Sequence, residues 1–166
     1  LTELVDLATD QGGATEARER VDLTDLVRNV AERHSRRSGR DVDVIAPDEP
    51  VVLDGRPHAL ERAVSNLVEN ALKYSPEGGT VEVSVGEAGG RPRVAVRDHG
   101  PGIAPEDRPR VFDRFYRATS ARTHPGSGLG LAIVAQVVEA HDGDVFVEEA
   151  PGGGAIVGFT LAPTAG

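Results

Sequence analysis

The sequence predicts an α+β fold in which about three helices pack on one face of a mixed, largely antiparallel sheet. Three stretches carry apolar residues at spacings of three and four, which is the period of an amphipathic helix. Five to seven short stretches alternate apolar and polar residues, as half-buried strands do. Because these elements do not follow the alternating order of βαβ units, we expect the helices to group on one face of the sheet.

The predicted helices span residues 21–38, 56–74 and 129–141. Asp22 or Thr24 can cap the first helix, and the sequence SPEGG ends the second. The predicted strands span residues 41–45, 51–53, 80–85, 93–97, 144–148 and 155–161. The third and fourth of these strands are expected to form a hairpin through GEAGGRP. The stretch from 98 to about 127 has no regular period, and loops of that length are usually functional or disordered.

The first twenty residues differ from the rest of the chain. Leu1, Leu4, Val5 and Leu7 lie at helical spacing, and two glycines then lead into a charged stretch. We interpret residues 1–20 as the end of a helix and a linker. Residues 21–164 are expected to form one domain, which suits a chain of 166 residues.

The composition argues against several classes of protein. The formal net charge of −9 argues against nucleic acid as a partner, because phosphate backbones require a basic face. The chain has no cysteine, which excludes disulfides, thiolate zinc sites and a cysteine nucleophile. No apolar run approaches the ~18 residues that span a bilayer, and no signal-peptide pattern opens the sequence, so we expect a soluble, cytoplasmic piece.

A polar line on the second predicted helix is the first candidate for a site. Asn66, Asn70 and Lys73 lie at i, i+4 and i+7 and therefore share one face. Lys73 is the only lysine among 18 Lys and Arg residues, and a compact ammonium suits a phosphate. Amide oxygens suit Mg²⁺, which is usually completed by waters and nucleotide phosphates. Taken alone, this line fits two solvated asparagines on an exposed face better than a ligand site.

A second candidate directly follows the predicted strand 93–97. The Asp98 carboxylate can accept a hydrogen bond from an exocyclic amine such as that of adenine. Gly100 and Gly102 allow a ligand or another backbone to approach closely. The pattern DxGxG by itself is more often a turn than a base pocket.

Two more motifs lie in the long irregular stretch and at its end. Gly126, Gly128, Leu129 and Gly130 precede a helix, and such loop amides with a helix N-terminus suit an anion. A leucine stands where a dinucleotide fingerprint has its third glycine, and the Gly-Lys ending of a P-loop is missing. The sequence FDRFYR at 112–117 places three aromatic side chains in the stretch, which fits a mobile lid or a small satellite core equally well.

In order along the chain, NLVENALKY, DHGPGI, FDRFYR and GSGLGL resemble the N, G1, F and G2 boxes of the histidine kinase catalytic domain, a branch of the GHKL ATPase superfamily. Four separated motifs in the family's order make coincidence improbable, and the resemblance covers about residues 21–164. It implies a two-layer α/β sandwich, the Bergerat fold, with ATP bound between the helices and a flexible lid.

The resemblance also implies residue roles around ATP and Mg²⁺. Asn66 and Asn70 correspond to residues on the Mg²⁺ and phosphate side, Lys73 to a residue on the phosphates, and Tyr74 to one that stacks near adenine. Asp98 corresponds to the residue that binds the adenine amine.

Further roles follow from the same resemblance. Gly100 and Gly102 would shape the floor of the site, and Thr160 would support the base-binding aspartate. Arg117 is similar to an arginine that reaches the γ-phosphate, and with Asn66 and Lys73 it would act in catalysis. The glycine-rich residues that would border the phosphates at the lid are Gly126, Gly128, Leu129 and Gly130.

Two departures from the family pattern bear on mechanism. Gyrase-type relatives begin the N box with a glutamate that activates water, whereas this chain has Asn66; a neutral amide is a poor general base, so ATP hydrolysis should be slow. The phosphoacceptor box, a histidine followed by an acidic residue and Leu-Arg-Thr-Pro, occurs nowhere in the sequence. We expect His34 to be an exposed helix residue, His58 to lie in a first helical turn, His124 in the lid and His141 at a helix C-terminus.

The resemblance therefore implies a protein-histidine kinase fragment that uses Mg²⁺ and ATP. Its expected partners are a dimerisation and histidine-phosphotransfer domain of the same parent protein and a response regulator. The parent is expected to be a membrane-anchored homodimer. The alternative is a nucleotide-gated interaction module, such as an anti-sigma-type serine kinase or a pseudokinase, whose lid signals to a partner without histidine chemistry.

Overall fold

The computed structural model describes residues 16–76, 78–113 and 130–163. These residues form three α-helices, which are α1 (Leu23–Ser38), α2 (Pro57–Tyr74) and α3 (Gly130–Ala140). They also form seven strands: β1 (Glu19–Asp22), β2 (Val42–Ile45), β3 (Val52–Gly55), β4 (Val81–Ala88), β5 (Arg91–Arg97), β6 (Asp144–Glu149) and β7 (Ala155–Thr160). One 3₁₀ turn lies at Arg108–Arg110. The three predicted helices are confirmed to within two residues at each end.

The strands form a five-stranded sheet of order β2-β4-β5-β7-β6 and a separate pair, β1 and β3. In the larger sheet only β2 and β4 are parallel, and the other neighbours are antiparallel. The side chains of Val81, Val83 and Val85 on β4 are buried in the core with the helices, whereas Glu82 and Ser84 on the opposite face are only half-buried. The predicted fold class, helices on one face of a mixed and mostly antiparallel sheet, is confirmed.

The β4–β5 hairpin turns more tightly than the sequence pattern predicted. Gly89 and Gly90 both have positive φ, 60° and 80°, which a two-residue type I′ turn requires at its central positions. The paired strands therefore continue to Ala88 and Arg91, where we had expected loop residues.

The segment before α1 differs from the predicted linker. Residues 19–22 form β1, which pairs antiparallel with β3 so that Val21 lies opposite Leu53, and both side chains are buried. A strand with a single buried side chain is too short to show alternation, which explains why the sequence did not reveal it. The expected boundary at residues 20 and 21 thus falls inside a strand, and the helix end expected near residues 1–8 lies outside the described residues.

Both ends of α1 are stabilised by local hydrogen bonds. The Asp22 carboxylate accepts from the Asp25 backbone N–H at 2.9 Å, so Asp22 is the cap. Thr24 has a different role, because its Oγ1 accepts from the buried Val51 N–H at 3.0 Å and ties α1 to the chain before β3. The helix ends at Gly39, which has φ 72° and donates its N–H to the Ser35 carbonyl at 2.9 Å.

Two histidines are buried, and one of them was expected to be exposed. The expectation that His34 is exposed is wrong: it is 3% exposed, and its Nε2 lies 2.7 Å from Ser65 Oγ on α2. His141 directly follows α3 as expected, but it is 2% exposed and joins α3 to the start of α2. His58 is exposed in the first turn of α2, as predicted.

In the part of the chain that the structure describes, no helix is long and apolar enough to cross a membrane.

Candidate functional site

The polar line on α2 lies at the margin of the core. Asn66 and Asn70 are half-buried and Lys73 is exposed, while the neighbouring Leu67 and Val68 are almost fully buried. The amide nitrogen of Asn66, Nδ2, is buried and has no hydrogen-bond partner among the described residues. An unsatisfied buried amide costs roughly 1–3 kcal/mol, so this position favours a ligand that offers an acceptor.

The donor set of this line fits a phosphate group and a hard cation. The Asn66 Nδ2 group can donate to a phosphate oxygen, and an asparagine amide turned over presents its oxygen to a cation instead. Among the described residues no group of three His, Cys, Asp or Glu side chains could hold a metal ion. A cation bound here would therefore share its coordination with a ligand, as Mg²⁺ commonly does with nucleotide phosphates.

The Asp98 carboxylate is held in one orientation at the end of β5. Asp98 is 5% exposed, and its Oδ1 accepts from the backbone N–H groups of Gly100 at 3.0 Å and Ala155 at 3.1 Å. Its own N–H donates to the Ala155 carbonyl at 3.0 Å. Oδ2 accepts no hydrogen bond from the described residues. A fixed carboxylate with one free oxygen can accept a hydrogen bond from an amine of a ligand.

The residues after Asp98 form a turn packed against the end of α2. A Cβ on Gly100 would collide with the Tyr74 carbonyl oxygen, so only glycine fits there. The N–H of His99 donates to Ser75 Oγ at 3.1 Å. Gly102 has φ 80°, the left-handed region that favours glycine. The N box and the DxGxG motif, which are far apart in the sequence, therefore meet at the end of α2.

The glycine-rich turn before β7 packs against Asp98 from the other side. A Cβ on Gly154 would collide with the Asp98 carbonyl oxygen, and Gly154 has φ 90°. Ala155, the first residue of β7, pairs its backbone with Asp98. Ser75, Gly154 and Ala155 were not predicted as site residues. The run of glycines directly before the last predicted strand was the available signal for the latter two.

The role expected for Thr160 does not agree with the structure. Thr160 is at the far end of β7, where it pairs with Arg93 and Asp144. It lies five residues beyond Ala155, which corresponds to about 17 Å along a strand. Thr160 therefore cannot support the Asp98 carboxylate, and the backbone of Ala155 does so instead.

The remaining predicted site residues lie near the ends of the described segments or outside them. Tyr74 is the last residue of α2 and is half-buried. Gly130 is the first residue of α3, and Phe112 packs partly buried against the core. The predicted site residues outside the described residues are Arg117, Gly126, Gly128 and Leu129.

Comparison with known proteins identifies the family. Residues 55–165 match the family described as histidine kinase-, DNA gyrase B- and HSP90-like ATPases. The signal transduction histidine-protein kinase/phosphatase MprB of Mycobacterium avium is 46% identical over 156 residues, which is 92% of this chain and 29% of that protein. The chain thus spans less than a third of the length of that relative.

Solved structures agree with this result. The structure of a mycobacterial sensor histidine kinase MprB has a TM-score of 0.80 and 39% identity, and the match covers 89% of this chain and all of the other. Full-length ShkA in complex with AMPPNP has a TM-score of 0.77 and 29% identity, over 98% of this chain and 37% of the other. These relatives support the histidine kinase prediction and not the alternative of a nucleotide-gated interaction module. The chain belongs to the family of histidine kinase-, DNA gyrase B- and HSP90-like ATPases, as its four motifs predicted.

Proposed function

We propose that this chain is the ATP-binding catalytic domain of a sensor histidine kinase, which transfers the γ-phosphoryl group of Mg²⁺-ATP to a histidine outside the chain. A response regulator aspartate would then take the phosphoryl group from that histidine. The observation that carries the proposal is the Asp98 carboxylate. Its Oδ1 is fixed by two backbone N–H groups, its Oδ2 accepts no hydrogen bond from the described residues, and its turn packs against the end of α2, the helix that carries the amide line. The similarity to MprB supports the choice of histidine kinase within the family.

The adenine end of the site is assigned to Asp98 and its turn. Oδ2 of Asp98 would accept a hydrogen bond from the adenine amine, and Tyr74 would stack near the base. Guanine carries an oxygen acceptor at that position, which faces a carboxylate unfavourably. A hydrogen bond to a charged group contributes about 1.5–3 kcal/mol, enough to discriminate between the two bases.

The phosphate end is assigned to α2 and the glycine-rich sequence before α3. Asn66 and Asn70 would hold Mg²⁺ and phosphate oxygens, Lys73 would neutralise phosphate charge, and Arg117 would reach the γ-phosphate. When bound, Mg²⁺ would neutralise the charge that develops on the phosphate oxygens. The loop amides at Gly126, Gly128, Leu129 and Gly130 would border the phosphates.

Catalysis by these residues would consist of positioning and charge neutralisation. The imidazole nitrogen of the acceptor histidine forms the new bond to the γ-phosphorus while the bond to the β–γ bridging oxygen breaks, and ADP leaves. The chain's own groups hold the triphosphate in line for that attack. Asn66 offers no general base to water, so transfer to histidine would outcompete hydrolysis.

The first test is nucleotide binding by calorimetry with and without Mg²⁺. Asp98→Asn keeps an oxygen for the N–H groups of Gly100 and Ala155 but replaces the free oxygen by an amide donor. We expect ATP affinity to fall at least roughly tenfold with little change in thermal stability. Asn70→Asp adds a negative charge beside the phosphates and should weaken Mg²⁺-ATP binding as well.

The matched control is Asp43→Asn, which changes an exposed aspartate on β2. It should leave ATP affinity unchanged. Equal ATP affinity in the wild type, Asp98→Asn and Asn70→Asp proteins would contradict the assignment of the site. Phosphoryl transfer itself is tested by joining the chain to a dimeric helix pair with a phosphoacceptor histidine, since acid-labile phosphate on that pair is expected only for a histidine kinase.

A further inference from the structure

The turn that carries Asp98 is held from two sides. On one side, Ala155 of β7 exchanges two hydrogen bonds with Asp98. On the other side, the His99 N–H donates to Ser75 Oγ at 3.1 Å, and Gly100 lies against the Tyr74 carbonyl. β7 contributes only backbone groups to its two bonds, whereas Ser75, directly after α2, contributes its side chain.

Ser75 is itself fixed by the end of α2. Its N–H donates to the Ala71 carbonyl at 3.0 Å, and its φ of −74° and ψ of 146° take the chain out of the helix. Ser75 is 7% exposed. Water therefore has little access to replace its hydroxyl as the acceptor of the His99 N–H.

Arg40 holds the chain on both sides of Ser75. Its Nη1 donates to the Leu72 carbonyl at 2.6 Å, and its Nη2 donates to the carbonyls of Pro76 at 2.8 Å and Gly79 at 3.0 Å. A planar guanidinium can bind three carbonyls at once, and its charge favours the C-terminal end of a helix. The Arg40 carbonyl in turn accepts from Ser35 Oγ at 2.7 Å, which anchors this arrangement to α1.

We propose that Ser75 is a positioning residue for the adenine end of the nucleotide site. Acting through the His99 N–H, it holds the Asp98 carboxylate where its free oxygen meets an adenine amine, and so it sets the preference for adenine over guanine. Arg40 supports Ser75 by fixing the chain around it. The inference rests on the proposed function, because it concerns the base that Asp98 would bind.

The test compares ATP and GTP affinity, both with Mg²⁺, in Ser75→Ala and Ser75→Thr proteins. Ser75→Ala removes the acceptor, so ATP affinity should fall roughly tenfold while GTP affinity changes less. Ser75→Thr retains the hydroxyl and should keep the wild-type ratio of the two affinities. The control Ser84→Ala lies on the outer face of β4 and should change neither affinity. A merely structural role for Ser75 would lower the melting temperature and leave the ratio unchanged, and that result would overturn the inference.

Amide hydrogen exchange without nucleotide separates this inference from the proposed function. The exchange rate at His99 should rise about tenfold or more in Ser75→Ala and stay at the wild-type value in Ser84→Ala. Faster exchange with no ATP binding by the wild type would mean that the contact exists but the proposed function is wrong, and the inference would fail with it. Selective ATP binding that is insensitive to Ser75→Ala would overturn the inference alone.

Discussion

Individual glycines determine how closely the backbones around Asp98 approach one another. Gly100 touches the end of α2, and Gly154 touches Asp98 itself, so a side chain at either position would collide with backbone atoms. Backbone atoms cannot swing aside as a flexible side chain can, and a methyl group there must displace a whole segment. The tight packing that fixes the Asp98 carboxylate therefore depends on the absence of Cβ atoms at these two positions.

Gly100→Ala should lower both stability and nucleotide affinity. We expect the free energy of unfolding to fall by about 1–3 kcal/mol, because the new methyl group would collide with the Tyr74 carbonyl. ATP affinity should fall because the Asp98 turn moves. Gly86→Ala is the matched control, since a Cβ there meets nothing within 4 Å. Urea denaturation of the two variants checks this, and an equal effect of both substitutions would contradict the geometry.

At the scale of elements, α2 is the scaffold of the site, and residues distant in sequence hold both of its ends. Its N-terminus has no side-chain cap of its own, since Arg56 occupies that position. The Glu16 carboxylate takes over by accepting from the N–H groups of His58 at 3.0 Å and Ala59 at 3.2 Å. At the other end, Arg40 binds the Leu72 carbonyl. The helix dipole favours both charges, the Glu16 carboxylate at the N-terminus and the Arg40 guanidinium at the C-terminus.

Removing the distant cap should destabilise α2 measurably. Glu16→Ala leaves two helix N–H groups without an acceptor and is expected to cost about 1 kcal/mol in the free energy of unfolding. Glu49→Ala, at an exposed position before β3, should have an effect below about 0.5 kcal/mol. Chemical denaturation measures both, and the capping role would be rejected by equal unfolding free energies for the two variants.

For the whole molecule, two buried histidines connect the three helices. His34 of α1 bonds to Ser65 of α2. His141 accepts from the Arg56 N–H at 3.0 Å through Nε2, while its Nδ1 bonds to the Val137 carbonyl at 2.8 Å. Nδ1 therefore carries the proton, and a second proton on Nε2 would face another N–H group. The pKa values of His34 and His141 both lie below the ordinary value of 6.5, and burial is the main cause in each. Arg33 and Arg37 lower the pKa of His34 further.

These lowered pKa values predict that stability falls on mild acidification. Below about pH 6.5 the unfolded chain binds more protons than the folded one, so the free energy of unfolding decreases as pH falls from 7 towards 5.5. Each histidine contributes at most about 1.4 kcal/mol per pH unit. His34→Gln and His141→Gln should each flatten this dependence. Denaturation curves across this range provide the measurement, and equal slopes in the wild type and both variants would refute the explanation.

Local patterns in the sequence were enough to predict the three helices, most of the sheet and the family. The apolar period of α2 extends over 18 residues, and each of the four motifs is one short uninterrupted stretch. Both are therefore local signals that a single sequence carries. Asn66, Asn70 and Asp98 could be predicted as site residues for the same reason, because they lie within these motifs. Local patterns also predicted the hairpin, although the tight turn at Gly89 and Gly90 and the longer strands emerged only from the structure.

The residues that surround Asp98 became known only from the folded chain. The bond from the Ala155 N–H to the Asp98 carboxylate spans 57 residues, and its donor is a backbone group that every residue except proline carries. The same reason explains the mistaken choice of Thr160, the unrecognised strand β1 and the burial of His34. Pairing between distant backbone groups and the packing of one helix on another leave no periodic trace in the sequence, because they depend on where segments meet after folding.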